Sequence, residues 1–378
     1  GSTEQHTLEL ACDGTAGKAR LTATGGLKEQ IWQGRLTRLT FDHGRFGEWA
    51  MQGPAALRLS GQNAALSDFD LQHKELDISL DGSWKKEGNW QIKGVADNFA
   101  LQLLQEWQLP VPELKGTAEA KLIAQGRGAQ VEQAELLLEL PRLSLTTESF
   151  KDDEEEVGTI DWIWTDNVLE ARLQGTTATV KARTHFQDTG DASFDISAKN
   201  CCDLTQAEKI PLNGQLDLHF NDLSPLRHWS NEAVQAAGKF KGRILLGGTV
   251  RKPTINGKLV LSGGKKQAGE IFFPAAGIGL KDIQIALKGD SSFNEVDAEL
   301  SSGPGKIKVT GTARQDAEQH WSVDLTLAGK NFQAVDLPEY QALISPNLHL
   351  HYTDTETRLG GTVTLNKAKI APTGFSGA

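Results

Sequence analysis

The side chains of this chain that could bind a metal or move protons are nine histidines and a large number of carboxylates. Only His349 and His351 lie close together in sequence, and on a β-strand this i, i+2 spacing would put both imidazoles on one face. A two-histidine pair needs further ligands to hold zinc, and none is evident nearby. We therefore predict no metal site and no cofactor.

Catalytic motifs are equally scarce. The sequence has no Gly-x-Ser-x-Gly elbow, phosphate-binding loop or His-Glu-x-x-His motif, and Gly277-Ile278-Gly279 is too short for a nucleotide fingerprint. The acidic run 151–156 is interpreted as a solvated loop, with a calcium site as the alternative, although it lacks the spaced ligands of an EF-type loop. We predict no catalytic residue and no enzymatic activity.

Cysteine is rare, with Cys12, Cys201 and Cys202 only. An odd number argues against a disulfide framework. The adjacent pair is interpreted as two small residues in a turn, with a redox or metal role as the alternative.

The elements that would carry these side chains are predicted to be β-strands, because apolar residues recur at every second position along much of the chain. Examples are Trp321 to Leu327, Leu76 to Leu80 and Ile283 to Leu287, with mostly polar residues between the apolar ones. A period of two puts the apolar side chains on one face of a strand and the polar ones on the other. One long sheet, apolar on one face and polar on the other, satisfies the pattern.

Two helices are predicted beside the strands. One covers residues 99–107. The other covers 226–237, with Ser224 as N-cap, Pro225 at the first helical position and Gly238 after the last.

A degenerate repeat also runs through the chain. Residues 82–99 and 311–332 each read as a strand, a polar turn, a strand that opens on tryptophan, and an Asn-Phe step (Asp97-Asn98-Phe99 and Gly329-Lys330-Asn331-Phe332) into a short crossing segment. A weaker copy covers 180–196. Such repetition predicts stacked units that bury apolar surface against their neighbours.

Composition fits this reading. The chain has 378 residues, 39 glycines and 38% hydrophobic residues, fewer than a fully packed core of this size requires. A formal net charge of -10 and the absence of a basic stripe make nucleic acid an unlikely partner class. No stretch approaches the roughly 20 apolar residues of a membrane span.

The second half of the chain resembles the TamB family of AsmA-like, bridge-type lipid-transfer proteins. The resemblance lies in Gly311-Thr312-Ala313, residues 321–332, Leu337-Pro338-Glu339-Tyr340, 344–350, 360–365 and 369–372. The family pattern has a proline where Asn366 or Lys367 stands.

This resemblance implies an all-β, elongated β-taco: a curled, one-sided antiparallel sheet that forms a hydrophobic trough, with a few short helices. We expect residues 1–378 to form one continuous repetitive segment of a longer chain, with possible subdivisions near 112, at 150–158 and at 222–238. It further implies a periplasmic location, an inner-membrane anchor in the full-length protein, and the outer-membrane barrel TamA as partner.

Two functions are compatible with these features. In the first, the trough conducts phospholipid acyl chains between the inner and outer membranes, because apolar surface of this extent needs an apolar occupant. In the second, the sheet edge is a scaffold that pairs with the TamA barrel or its client proteins. Candidate lining residues for the first function are Leu259, Leu261, Ile283, Ile285, Ile307, Val309, Val323, Leu325, Leu348, Leu350, Val363 and Leu365.

Overall fold

The computed structural model describes residues 5–109, 113–150, 157–186, 189–201, 209–223, 235–250, 252–263, 269–290, 292–315 and 320–371, with the side chains of 147–150 and 157–161 left out. The strands of the first half are β1 (His6–Gly14), β2 (Gly17–Lys28), β3 (Ile31–His43), β4 (Gly47–Met51), β5 (Ala55–Ser60), β6 (Asn63–His73), β7 (Leu76–Lys85), β8 (Asn89–Ala100), β9 (Leu114–Arg127), β10 (Gln130–Phe150), β11 (Val157–Gln174) and β12 (Thr177–Phe186). Those of the second half are β13 (Gly190–Lys199), β14 (Leu212–Phe220), β15 (Gln235–Ala237), β16 (Lys239–Gly248), β17 (Pro253–Ser262), β18 (Glu270–Phe273), β19 (Ile278–Asp290), β20 (Phe293–Ser302), β21 (Gly305–Gln315), β22 (Trp321–Lys330), β23 (Phe332–Asp336), β24 (Tyr340–Thr353) and β25 (Thr357–Ile370).

The strands form where the alternation of apolar and polar residues predicts them. Trp321 to Leu327 lie in β22, Leu76 to Leu80 in β7 and Ile283 to Leu287 in β19. The pairings described between strands are antiparallel, and most join strands that are consecutive in the chain. The prediction of an all-β fold, built on an antiparallel sheet with one apolar face, is confirmed.

The two clearest copies of the predicted repeat are hairpins. β7 and β8 pair from Asp77–Asp97 to Trp84–Trp90, and β21 and β22 pair from Lys306–Lys330 to Gln315–Trp321. Each hairpin ends at an asparagine with a positive φ, Asn98 at 57° and Asn331 at 48°. Asparagine tolerates this left-handed conformation better than most residues, so it turns the chain out of the hairpin into the crossing segment.

The helix predictions have different outcomes. The segment 99–107 contains α1 (Gln102–Glu106), a single short helix, while Phe99 and Ala100 still belong to β8. In the second predicted helix, residues 224–234 lie outside the described part, and Gln235–Ala237 form strand β15 paired with β18. That part of the prediction is wrong, because cross-strand pairing with Glu270–Phe272 decides the conformation of these residues.

The chain divides into two compact units. Unit 1 comprises residues 1–147 and 161–184, and unit 2 comprises 148–160 and 185–378. The acidic run 151–156, predicted as a loop, lies outside the described residues. The predicted subdivisions of the chain stay predictions.

Unit 1 contains two small clusters of buried side chains on the apolar face of its strands. Ala23, Leu36 and Ala55 form the first, and Trp49, Leu76 and Leu103 form the second, which includes α1. In the described part of unit 2, the buried apolar residues are Ile210, Leu223, Leu261, Ile307 and Phe332, and they form no such cluster. Among the described residues of unit 2, the apolar face therefore has no packed core of buried residues against it.

Surface area leads to the same conclusion. The accessible surface is 24199 Å², whereas two separate compact proteins of half this mass would expose roughly 17,700 Å² together. Large apolar side chains on the strands are among the exposed residues, for example Ile123 at 46%, Leu359 at 67% and Leu365 at 60%.

Candidate functional site

The candidate site is the apolar face of unit 2, which the strand register builds from local alternation. Residues directly opposite each other in antiparallel strands point to the same side of a sheet. In the first row of facing residues, β13 to β25 contribute in order Phe194, Leu216, Ile244, Gly257, Leu287, Val296, Gly311, Leu325, Leu350 and Leu359.

A second row lies two residues further along each strand, on the same face. It consists of Ala192, Leu218, Gly242, Leu259, Ile285, Ala298, Val309, Leu327, Leu348 and Gly361. Neither row contains a polar side chain. At about 4.8 Å per strand, ten strands span ~43 Å, so the two rows make a long strip of hydrocarbon.

Partial exposure is the property that makes this strip a candidate site. None of the large side chains in the first row is buried, and Leu359 at the β25 end is 67% exposed. In a packed core, aliphatic side chains at such positions would be almost fully buried. The face is thus apolar and still accessible.

Glycines interrupt the strip at positions where neighbouring side chains use the space. A Cβ on Gly242 would lie 2.6 Å from Cδ2 of Leu259 and 3.4 Å from Cβ of Leu218. A Cβ on Gly257 would lie 3.0 Å from Cγ1 of Ile244. Large side chains can therefore lie flat over the glycines, which keeps the strip low and continuous.

The opposite face of the same strands is charged and polar. Arg243 Nε lies 2.6 Å from Asp217 Oδ1, Lys308 Nζ lies 2.9 Å from Asp297 Oδ2, and His351 Nδ1 contacts Asp324. The hydrogen bonds from Arg243 and then Gln215 lower the pKa of Asp217 below its usual value. Exposed ion pairs of this kind add little to the stability of the fold, but they keep this face hydrated.

An open depression of about 590 Å³ lies on this polar face, lined by residues such as Lys288, Glu295, Asp297, Thr312 and Asp324. Its mixed charges make it a poor place for a lipid tail. The two faces therefore differ sharply in what they could bind.

The twelve lining candidates all lie on the apolar face. Six of them occupy the two rows: Leu325 and Leu350 in the first, and Leu259, Ile285, Val309 and Leu348 in the second. Val323 lies on the far side of the first row. Leu261, Ile283, Ile307, Val363 and Leu365 lie beyond the second row.

The candidates differ in how accessible they are. Leu261 is 3% exposed and Ile307 is 6% exposed, so the chain already covers both. Val363 and Leu365, on β25, are 51% and 60% exposed. Near Ile307, the crossing segment after β22 reaches the sheet, where Ser302 Oγ donates a hydrogen bond to the carbonyl of Gln333 at 2.9 Å. That edge of the apolar face is closed and the two rows are open.

Sequence reasoning missed several members of the rows, including Phe194, Ile244, Val296 and Leu359. The same alternation could have identified Phe194, Val296 and Leu359, whereas Ile244 is followed by two further leucines, which hide its face. What the alternation could not supply was the register that brings them into line with Leu325 and Leu348.

Some predicted chemical features have ordinary surroundings. His349 Nδ1 lies 3.2 Å from Thr326 Oγ1, and His351 contacts Asp324. Over the described ranges, no three or more His, Cys, Asp or Glu residues are grouped to hold a metal ion. Cys12 is an exposed free thiol, Cys201 is half-buried, and Cys202 lies outside the described residues.

Within the part of the chain that the structure covers, no helix is both long enough and apolar enough to span a bilayer. No solved structure matches the chain.

A relative was found among known proteins, the translocation and assembly module subunit TamB of Haemophilus influenzae. It is 23% identical over 203 residues, which cover 53% of this chain and 15% of the relative. The matched segment is thus a small part of that protein's length.

Two family models also match. The model of the TamB N-terminal domain matches residues 1–261, and the model of the TamB C-terminal domain matches residues 294–378. The first match covers the first half of the chain as well, whereas the motifs that resemble the family lie between residues 311 and 372. Because that match covers more than half of the sequence, this chain belongs to the TamB family.

Proposed function

We propose that the apolar face of unit 2 is part of a conduit for phospholipid acyl chains between the inner and outer membranes, in the periplasm of a Gram-negative cell. The observation that carries this proposal is the pair of ten-strand rows, apolar throughout and only partly covered. A curled sheet would turn these rows into the floor of a trough. Membership in the TamB family, whose relative is named as a translocation and assembly subunit, supports a transport role.

Energetics favours lipid tails as the occupant. Each methylene of an acyl chain that leaves water gains about 0.8 kcal/mol. The rows offer the same aliphatic surface from strand to strand, without a polar group that would hold a tail at one point. A lipid could therefore move along many equivalent weak sites, and neither a catalytic residue nor a cofactor is required.

Site-specific photo-crosslinking tests the proposal. A photoreactive amino acid at Leu325, on the apolar face, is expected to capture phospholipid in cells. The same amino acid at Asp324, one residue earlier on the same strand but on the polar face, is the matched control and is expected to capture none. Equal capture at the two positions would contradict the conduit.

A second function is favoured by a separate observation, the open edge at β25. All fourteen residues Thr357–Ile370 are exposed, and in the described residues β25 pairs only with β24. A free edge offers unpaired backbone groups to another strand. In this alternative, β25 would dock a strand of the TamA barrel or of an assembling client, as part of the translocation and assembly module.

Proline substitutions at Val363 and Leu365 would separate the two functions. These residues lie on β25 opposite Pro346 and Ile344, in the non-hydrogen-bonded pairs of the β24–β25 ladder, so their amides face the free edge. Proline there removes the donors that an added strand would use, and it leaves the hydrogen bonds of β25 to β24 and the rows of β13 to β24 in place. If the variant no longer binds the TamA barrel while a photoreactive residue at Leu325 still captures phospholipid, the edge serves docking and the apolar face serves lipid.

A further inference from the structure

Helix α1 lies on the apolar face of unit 1, where it covers a group of large side chains. Leu103 of α1 is 4% exposed and packs with Trp49 and Leu76. Trp107, one turn later, packs against the same cluster, with its ring 5.7 Å from that of Phe99 and 6.3 Å from that of Trp49. The α1 segment, residues 101–109, thus fills this part of the face.

Away from the α1 segment, the same face is open. Ile78 faces Ala96, and the alternation continues along β8 to Ile92 and along β9 to Leu122. Ile92 and Leu122 are each 39% exposed. The apolar face of unit 1 is therefore covered where α1 lies, and it is accessible two to three rows of facing residues away from Leu76.

The surface beneath α1 is suited to hydrocarbon. Its members include Phe41, Leu71, Ile78 and Phe99, all apolar. The buried polar side chain there, His73, is already satisfied, because its Nδ1 lies 2.7 Å from the carbonyl of Glu48. A lipid tail on this surface would therefore leave no buried polar side chain without a hydrogen-bond partner.

The α1 segment has few local interactions of its own. The helix has five residues, no side-chain N-cap and no acidic residue in its first turn, and a helix this short is unstable without packing. The indole Nε1 of Trp107 is buried without a hydrogen-bond partner in the described residues, which costs about 1–3 kcal/mol.

Polar contacts tie the segment to neighbouring strands and turns. Arg45 donates from Nε to the carbonyl of Trp107 at 2.5 Å and from Nη2 to the carbonyl of Gln108 at 3.4 Å, the Leu101 amide donates to the carbonyl of Gly116 at 2.9 Å, and Lys74 forms an ion pair with Glu106. The side chains of Lys74 and Glu106 are 55% and 50% exposed, so this ion pair contributes little to stability. Burial of Leu101 and Leu103, which are 6% and 4% exposed, and packing of Trp107 add to these contacts.

We propose that the α1 segment is a displaceable cover over an acyl-chain site on the apolar face of unit 1. A phospholipid tail makes the same dispersion contacts with Ile78 and Phe99 that Leu103 and Trp107 make, and it brings no unpaired indole N–H. When a tail takes the site, α1 leaves the face. This inference rests on the proposed function, since it supposes that apolar faces of this chain receive lipid tails.

Locking the cover tests the inference. In a protein with the three cysteines replaced by serine, Lys74→Cys and Glu106→Cys are joined by a short bismaleimide. The matched control is the same double variant capped with N-ethylmaleimide. Both are mixed with vesicles of phosphatidylcholine that carries a diazirine on one acyl chain, and labelled residues are mapped by mass spectrometry.

Apparent affinity scales with the fraction of protein in which the site is uncovered. Labelling of residues 71–78 is therefore expected to fall about tenfold in the locked protein relative to the capped one. Labelling of β22 and β24 in unit 2 is expected to be equal in both. The proposal that α1 is a displaceable cover is overturned if residues 71–78 are labelled equally in the two proteins. It is also overturned if those residues are labelled in neither protein while unit 2 is labelled.

Absence of label from β22 and β24 would instead refute the proposed function itself. Hydrogen exchange gives an independent readout without any substitution. The amides of Trp107 and Leu109 donate to the carbonyls of Leu103 and Leu104 at 2.8 and 2.9 Å. Phosphatidylcholine is expected to speed the exchange of both amides, and unchanged or slower exchange would contradict displacement.

Discussion

Gly329 in β22 provides a sharp test of how tightly the closed edge of the apolar face is packed. A Cβ at this position would lie 2.6 Å from the carbonyl oxygen of Lys306 and 2.8 Å from Cγ1 of Ile307. Both atoms belong to the paired strand β21, and Ile307 is only 6% exposed, so neither can move aside freely. Gly329→Ala should therefore force the two strands apart.

The size of the effect follows from two opposing terms. Overpacking of a well-packed site costs about 1–3 kcal/mol. Replacing glycine by alanine also restricts the unfolded chain, which stabilises by about 0.4–1 kcal/mol. The net loss is roughly 0–2.6 kcal/mol, and at 2–4 °C per kcal/mol for a unit of about 200 residues the melting temperature falls by up to about 10 °C.

Gly360 in β25 is the matched control, because a Cβ there would meet nothing within 4 Å. Gly360→Ala keeps only the stabilising term, so a gain of up to about 1 kcal/mol is expected. Thermal and urea unfolding followed by far-ultraviolet circular dichroism would compare both variants with the parent protein. If Gly329→Ala were as stable as Gly360→Ala, the packing argument for this edge would be refuted.

Three further predictions follow from the two faces of unit 2. Leu325→Arg places a charge in the first row and is expected to abolish phospholipid capture at neighbouring positions, whereas Ala328→Arg, on the polar face of the same strand, leaves it unchanged; equal loss in both variants would contradict the conduit. Ile307→Ala should cost about 2–4 kcal/mol in urea unfolding, because it leaves a cavity under the crossing segment, while Leu365→Ala, 60% exposed, should cost less than about 1 kcal/mol. The lowered pKa of Asp217 stabilises the fold above pH ~4, and this contribution disappears as the pH falls through the lowered pKa. Asp217→Asn should therefore be less stable than the parent protein at neutral pH and nearly equal to it at acidic pH. A difference in stability that stays constant across that pH range would refute this prediction.

Much of the fold was readable from the sequence, because a strand's alternation is a local property. The spacing of Val323, Leu325 and Leu327 alone predicts both a strand and the face that its apolar side chains share. The repeat likewise predicted the hairpins around Trp90 and Trp321, since a polar turn between two alternating runs specifies a hairpin locally.

Features that depend on distant partners were not readable. Residues 235–237 carry a helical pattern but form a strand, because Glu270–Phe272 offer them backbone partners. Ile307 and Leu325 have the same alternating context, yet one is covered by a crossing segment and the other is accessible. The packing of Trp107 onto Trp49 joins residues 58 positions apart, which no local pattern encodes.

The hairpin-by-hairpin pairing of unit 2 also sets what kinds of sequence change the unit can absorb. Strands β19 to β22 pair in chain order, each with the next, so a whole hairpin could be gained or lost and the neighbouring strands would pair with their apolar faces unchanged. One residue inserted in the middle of β22 has the opposite effect, because it would move Trp321 and Val323 to the polar face and place Ser322 and Asp324 on the apolar face. The number of strands in this architecture can therefore change two at a time, whereas the number of residues between two apolar positions of one strand cannot change by one.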